Sequence, residues 1–404
     1  MNINARIVTL KQERSQRIIQ NRHPWVFSGA IENVSKGMED GEIASIADTT
    51  GKIFAQGAYN LNSDIRLRIM SWKTEEKIAD DWFSKNVKNL AKTKEKLLGI
   101  SSLSEEKKNY RLVFSECDNI PGLVIDRYGL IFVIQLHTLF ADKKRELWIS
   151  IIKQLWNPVA IYERSDIDVR KKEGLATMPT GILHGKLPEK HIIEEDGLKA
   201  VVDIRMGQKT GYFLDLRQVR NKIEKWCKNM DVKFLQNYFG YTGSFNQYAA
   251  RAGVEKIEHI DSSDTANEIA KENAKLNGFG NRIRTIHSDI YEYLTQVIND
   301  NVDAIVLDPP SFVKSKDKIR NALEGYKRLN SIAMKKLKSS GILFSLSCSS
   351  YVSEDDFQKM LFNSAISSGC KIKVLEKFGH DVDHAWPLTF PEGRYLQCWI
   401  LQKQ

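Results

Sequence analysis

Asp303-Ala304-Ile305-Val306-Leu307-Asp308-Pro309-Pro310-Ser311-Phe312 decides the fold. Its first five residues form an apolar run with β-branched members, and the Pro-Pro pair stops it. Together these read as a short buried strand. The strand delivers the carboxylate of Asp308 to its C-terminal edge, where open α/β sheets bind ligands. Pro309 and Pro310 fix φ and carry no N–H, so the carbonyls beside them can face a planar group.

Outward from this strand, strands and helices alternate. Strands are expected at 234–239, 256–260, 283–286, 303–307, 341–346 and 395–401. Helices are expected at 244–252, 264–276, 290–298, 318–337 and 354–367. Repeated β-α units imply an α/β fold with a mainly parallel sheet covered on both faces.

Three successive strand ends carry groups suited to a nucleoside. The first runs Asn237-Tyr238-Phe239-Gly240-Tyr241-Thr242-Gly243, where glycines let backbone approach a ligand closely. It is not GxGxxG, and no GxxxxGK[ST] phosphate loop occurs in the chain. The second is Asp261-Ser262, whose carboxylate suits ribose hydroxyls. The third is Asp289, within reach of an adenine amino group. Each acid alone reads more simply as a helix N-cap. Three in order, each at a strand end, are harder to explain by capping.

Before this region, residues 7–72 read as a small β module with glycine turns and early basic residues: Lys11, Arg14, Arg17, Arg22 and His23. Arg22-His23-Pro24-Trp25-Val26-Phe27-Ser28-Gly29-Ala30-Ile31 resembles the opening of PUA domains, small RNA-binding β barrels. An apolar face over 74–98 predicts a helix. Strands at 111–114, 123–126, 130–136 and 159–162, with a helix at 143–156, complete an α+β unit. Its Arg164, Arg170, Lys171 and Lys172 are either phosphate contacts or a solvated charge run. The polar stretch 186–196 marks a boundary, giving three domains: 1–72, 73–190 and 191–404.

Lys+Arg 60 against Asp+Glu 51 gives a net charge of +9, which suits a polyanionic partner. Five cysteines without CxxC spacing argue for a reduced, cytoplasmic protein without structural zinc. No apolar run reaches transmembrane length, and the first residues lack a signal-peptide core.

The motifs together resemble the bacterial large-subunit ribosomal RNA methyltransferase I family. Those that carry the resemblance are Asp308-Pro309-Pro310-Ser311-Phe312, the stretch from Lys209-Thr210-Gly211 to Arg217, Tyr241-Thr242-Gly243 and Ser347-Cys348-Ser349. Ser165 to Gly174 and Pro391-Glu392-Gly393 also match. The resemblance implies a Rossmann-like class I methyltransferase domain behind a PUA-like domain and a middle α+β domain. It implies S-adenosylmethionine as cofactor, with Phe213, Asp215 and Arg217 bordering it. It also implies RNA, specifically 23S ribosomal RNA, as partner.

Cys348 separates the chemistries. Carbon 5 of a pyrimidine is a poor nucleophile until something adds to carbon 6, and a thiolate does this. Exocyclic-amine methylation needs no thiol. The bland reading of Cys348 is a buried, inert cysteine; three serines beside it suggest an accessible strand end. No second cysteine lies beside Asp308-Pro309-Pro310. The expected activity is RNA cytosine-5 methylation, with Cys348 and Asp308 catalytic. The alternatives are RNA guanine-N methylation and a non-catalytic RNA-binding assembly factor. A homodimer is compatible with the sequence.

Overall fold

The computed structural model describes residues 6–296, 301–312 and 318–404. Two compact units share the chain. One comprises Met1–His191, Val202–Leu214 and Val382–Gly393; the other Ile192–Val201, Asp215–Asp381 and Arg394–Gln404. Residues 1–5, and the last two positions of the helix expected at 290–298, lie outside the described residues.

The second unit is built on a seven-stranded sheet. Its order is Ile283–His287, Lys256–Asp261, Phe234–Tyr238, Val302–Leu307, Leu337–Cys348, Leu396–Lys403, Ile372–Phe378. The first five strands are parallel. Leu396–Lys403 runs antiparallel to both its neighbours. Val302–Leu307 is buried along its whole length, as a central parallel strand covered on both faces must be. The chain winds outward in both directions from Phe234–Tyr238, so the order reverses between that strand and Val302–Leu307. Tyr238 and Leu307 pair in register, and a topological switch point opens beyond them.

Helices cover the sheet because their apolar residues recur at helical spacing. Ile319–Lys336 buries Ala322, Tyr326, Leu329 and Ala333 on one side. Ser263 Oγ accepts from the Ala266 amide and Ser353 Oγ from the Asp356 amide, capping Asp264–Leu276 and Glu354–Ser368. Each cap stabilises its helix by about 1 kcal/mol.

The alternation expected in this half is present, with differences that have causes. The strand expected at 341–346 extends over Leu337–Cys348. The segment read as a polar boundary holds a hairpin, His191–Glu195 with Leu198–Val202. Ile372–Phe378 escaped notice because an edge strand carrying charges shows weak alternation. So did the helix Arg217–Asn229, whose apolar stripe is only Val219, Ile223 and Cys227.

The first unit contains a six-stranded sheet ordered Trp25–Phe27, Ile65–Ser71, Ile53–Tyr59, Ile43–Ala47, Ile7–Leu10, Ile31–Val34. It also contains a five-stranded sheet spanning Asn109–Phe114 to Thr180–Gly185. Helices Asp80–Leu97 and Arg145–Trp156 supply Phe83, Val87, Trp148 and Ile152 to one apolar core. The helix Gln12–Asn21 was hidden in the sequence: it buries only Ser15. The helix expected from Thr74 begins at Asp80. Arg68 is buried and ion-paired to Glu116 and, at 2.8 Å, to Glu173. Arg164 and Arg170 are buried as well. Arg164 donates to the Ile204 and Gly207 carbonyls, and Arg170 to those of Leu136 and Thr177. These two guanidiniums hold loops together and do not face phosphates. Among the described residues no helix is long and apolar enough to cross a membrane.

Candidate active site

The turn after Phe234–Tyr238 is strained where a ligand would approach it. Phe239 and Tyr241 hold φ values of +59° and +49°, and Gly243 holds +71°. Non-glycine residues in the left-handed region cost roughly 1 kcal/mol or more each, and such outliers gather at ligand clamps. A Cβ on Gly240 would sit 2.3 Å from the His259 ring, so only glycine lets the turn lie against that strand. Its amides are already directed: Tyr241 N donates to Asp261 Oδ2 at 2.8 Å and Gly243 N to the Gly240 carbonyl at 2.9 Å.

Beneath the turn runs a chain of buried polar side chains that sequence reasoning missed. Asn237 Nδ2 donates to Asn246 Oδ1 at 2.9 Å, and Asn246 Nδ2 to His259 Nδ1 at 3.0 Å. All three residues are fully buried. An Nδ1 that accepts carries no proton, and burial agrees by pushing the His259 pKa down to about 4. Asn267 Nδ2 donates to the Asp261 carbonyl at 3.0 Å and holds the next strand end. The available signal was polar residues inside otherwise apolar strands.

Asp261 lies half-buried at the end of Lys256–Asp261, and its Oδ1 accepts from Ser263 N at 2.9 Å. A carboxylate offers about four lone-pair sites, so two amides leave it able to accept from hydroxyls. Ser262 is exposed beside it. Asp289 is exposed, and its Oδ1 accepts from Glu292 N at 3.0 Å in the first turn of Ile290–Gln296. The residues fit an adenosyl group. The turn is strained and glycine-bearing, it has no phosphate loop, and acids flank it at successive parallel strand ends.

The Tyr238 side chain is engaged within the core. Its ring is buried, and its hydroxyl donates to Gln236 Oε1 at 2.7 Å. Thr242 is buried too, its carbonyl accepting from Asn273 Nδ2. Asp215 is buried and accepts from the Tyr395 hydroxyl at 2.6 Å. Arg217 pairs with Glu195 at 3.0 Å and with Asp381 at 3.5 Å. Burial pushes the Glu195 carboxyl up, but Arg220 and Arg217 outweigh it and hold it below its usual range. Both Asp215 and Arg217 therefore have structural duties. Phe213, in the other unit, is half-buried with Lys209 Nζ 4.7 Å from its ring centre.

Asp308 and Cys348 end adjacent strands and meet. Cys348 Sγ lies 3.7 Å from Asp308 Oδ1, as a thiol donating to a carboxylate, and both residues are half-buried. Pro309 is buried behind Asp308 and Pro310 exposed beyond it. A thiol thus faces a carboxylate at the C-terminal edge of the sheet, an arrangement in which the carboxylate can take the thiol proton.

The first unit carries a separate groove of about 760 Å³. Trp25 and Phe27 form one wall, Leu388 and Glu392 another, and the exposed Arg14 and Arg17 rim it. Trp25 is locked: its Nε1 donates to Glu116 at 2.9 Å, and its ring meets Phe390 edge-on at 5.0 Å. His23 Nε2 sits 3.1 Å from Glu392. Phe27 is 52% exposed.

Residues 8–72 match the PUA-like domain family, and residues 176–361 match the S-adenosylmethionine-dependent methyltransferase family. The Ribosomal RNA large subunit methyltransferase I of Shewanella amazonensis is 37% identical, over 96% of this chain and 97% of its own. That of Tolumonas auensis is 38% identical, over 98% of each. Two solved structures share the fold. A SAM-dependent methyltransferase from Streptococcus mutans has a TM-score of 0.80 at 20% identity, covering 98% of this chain and 100% of that one. SMU.776, a methyltransferase complexed with SAH, scores 0.81 at 19% identity, covering 98% and 99%. The cofactor is S-adenosylmethionine, and the chain belongs to the ribosomal RNA large subunit methyltransferase I family.

Proposed function

We propose that this protein methylates carbon 5 of a cytidine in RNA, 23S ribosomal RNA being the substrate its relatives' name points to. The observation that carries the reading is the contact of Cys348 Sγ with Asp308 Oδ1 at the sheet edge. Bound S-adenosylmethionine supplies an electrophilic methyl on a sulfonium. Asp261 and the 239–243 turn hold the nucleoside part, with Ser262, Asp289 and Pro309 around it. Asp215 and Arg217 act as a border that is itself held by the contacts described. The division into 1–72, 73–190 and 191–404 then assigns RNA binding to the first segment and methyl transfer to the last.

The target cytosine must leave its stack, because a stacked ring cannot be attacked from its face. Cys348 Sγ bonds to carbon 6 while its proton passes to Asp308. Asp308 returns that proton to the base edge, neutralising the charge gained on addition. Carbon 5, now enamine-like, takes the methyl group. Solvent takes the carbon 5 proton, the carbon 5–carbon 6 double bond re-forms as the carbon 6–sulfur bond breaks, and the base-edge proton returns through Asp308 to the departing sulfur. Arg14, Arg17, Trp25 and Phe27 combine cations with an exposed ring, a pairing that suits single-stranded RNA.

Cys348→Ala should abolish methylation and spare cofactor binding. RNA carrying 5-fluorocytidine should trap a covalent adduct at Cys348, since fluorine does not leave as a proton does. Full activity in Cys348→Ala, or methylated guanosine as the product nucleoside, overturns the cytosine-5 reading.

A further inference from the structure

We propose that Tyr326 is a positioning residue, whose hydroxyl clips together the two segments that carry Asp308 and Cys348. The proposal builds on the site above and holds for any reaction that uses Asp308. Tyr326 lies on the helix Ile319–Lys336 and is fully buried. Ser347 Oγ donates to its hydroxyl at 3.3 Å, and the Phe312 backbone amide hydrogen-bonds the same oxygen. Ser347 precedes Cys348 on one strand; Phe312 closes the Asp308-Pro309-Pro310-Ser311 segment on the next. One oxygen therefore bridges the two strand ends from behind.

The helix is tied a second time to the strand that carries Cys348. Asn330, one turn after Tyr326, accepts from Ser345 Oγ at 2.7 Å, and Ser345 and Ser347 share a face of their strand. Cys348 and Asp308 project from the opposite face. The Tyr326 ring is wedged against Phe312 at 4.8 Å and Phe357 at 5.8 Å between ring centres, so the hydroxyl cannot swing away. An apolar residue would fill this core position without the cost of burying a hydroxyl. Burial pushes the Tyr326 pKa up to about 12, so the group is a neutral phenol that holds neighbours and takes no proton.

Tyr326→Phe keeps the ring and removes the clip. In the full-length protein, kcat for RNA methylation should fall on the order of tenfold to a hundredfold, the effect of loosening a reacting pair. Cofactor affinity and the KM for RNA should stay within about twofold. Iodoacetamide labelling of Cys348, followed by peptide mapping, should show a shifted pH profile, because the thiol no longer sits at a fixed distance from Asp308. Ser347→Ala should lower kcat less, and the double variant should be no slower than Tyr326→Phe alone. A Tyr326→Phe kcat within twofold of wild type, an unchanged labelling profile, or additive losses in the double variant would overturn the clip. Failure of the cytosine-5 reading looks different: Cys348→Ala would remain active while Tyr326→Phe still slowed methylation.

Discussion

The strand-end site of the second unit and the groove of the first are made in opposite ways. At the strand ends the turn and Asp261 are anchored by buried partners: Asn237, Asn246 and His259 under the turn, Asn267 behind Asp261. Parallel pairing in register brings consecutive strand ends to one edge without further instruction. In the groove Phe27, Arg14 and Arg17 stand exposed, while Trp25 and His23 are held by Glu116 and Glu392. Its two sides come from the beginning and the end of the chain, as the 369-residue separation of His23 and Glu392 measures. The first design fixes small distances for chemistry. The second offers area and charge to a ligand that brings its own shape. They should therefore fail under different stresses, acid for one and salt for the other.

Acid is the larger stress. His259 in the second unit and His137 in the first are both pushed down to about 4 by burial. The unfolded chain binds these protons near pH 6.5, so between pH 6.5 and about 4 it holds more protons than the folded one. Stability is therefore complete above pH 6.5 and declines as the pH falls through that window, by about 3 kcal/mol per histidine. Urea unfolding at pH 7 and pH 4.5 measures the loss, and His259→Gln should remove one histidine's share. Protonating His259 also breaks its contact with Asn246. Cofactor affinity should stay flat down to about pH 5 and drop below it, while RNA affinity shows no such break. A turn that keeps its cofactor affinity at pH 4 would mean the buried chain does not hold it.

Next in size is Asp261. Asp261→Ala should weaken S-adenosylmethionine by roughly 2 kcal/mol, about thirtyfold, when charge-assisted hydrogen bonds are lost. Part of that reflects the Tyr241 and Ser263 amides left without their acceptor. Asp261→Asn keeps an acceptor oxygen for one of them and should lose about half as much by calorimetry. Unchanged affinity in both variants would remove Asp261 from the cofactor site.

The same contrast explains what the sequence could tell. The parallel sheet was legible because each β-α unit is contiguous, and motifs such as Asp308-Pro309-Pro310 sit at strand ends within a few residues. Asp308 and Cys348, 40 residues apart, could be placed together because adjacent strands have fixed topology. The buried partners could not be placed. Asn246 and His259 look like a surface residue and a stray imidazole until the packing of helix on strand is known. Tyr326 reads as one more apolar position on a helical stripe. The groove was least legible: its basic residues were visible, but the helix that presents Arg14 and Arg17 has no apolar stripe, and Leu388 to Glu392 lie at the far end of the chain.

The smallest expected effects test the groove. Phe27→Ala should cost about 1–2 kcal/mol in RNA affinity, the loss of one stacking platform. Arg14→Ala with Arg17→Ala should flatten the dependence of log affinity on log salt by about one and a half, since each lost phosphate contact on a single strand releases about 0.7 fewer counterions. Titrating labelled RNA across a salt series separates the two: the ring variant lowers the line and keeps its slope, the arginine variant changes the slope. Cofactor affinity should be unchanged in both, because Phe27, Arg14 and Arg17 belong to the first unit and the turn with its polar chain to the second. If Phe27→Ala leaves RNA affinity intact at every salt concentration, the exposed ring is not a stacking platform. If it weakens cofactor binding instead, the two sites depend on each other and the contrast between them falls.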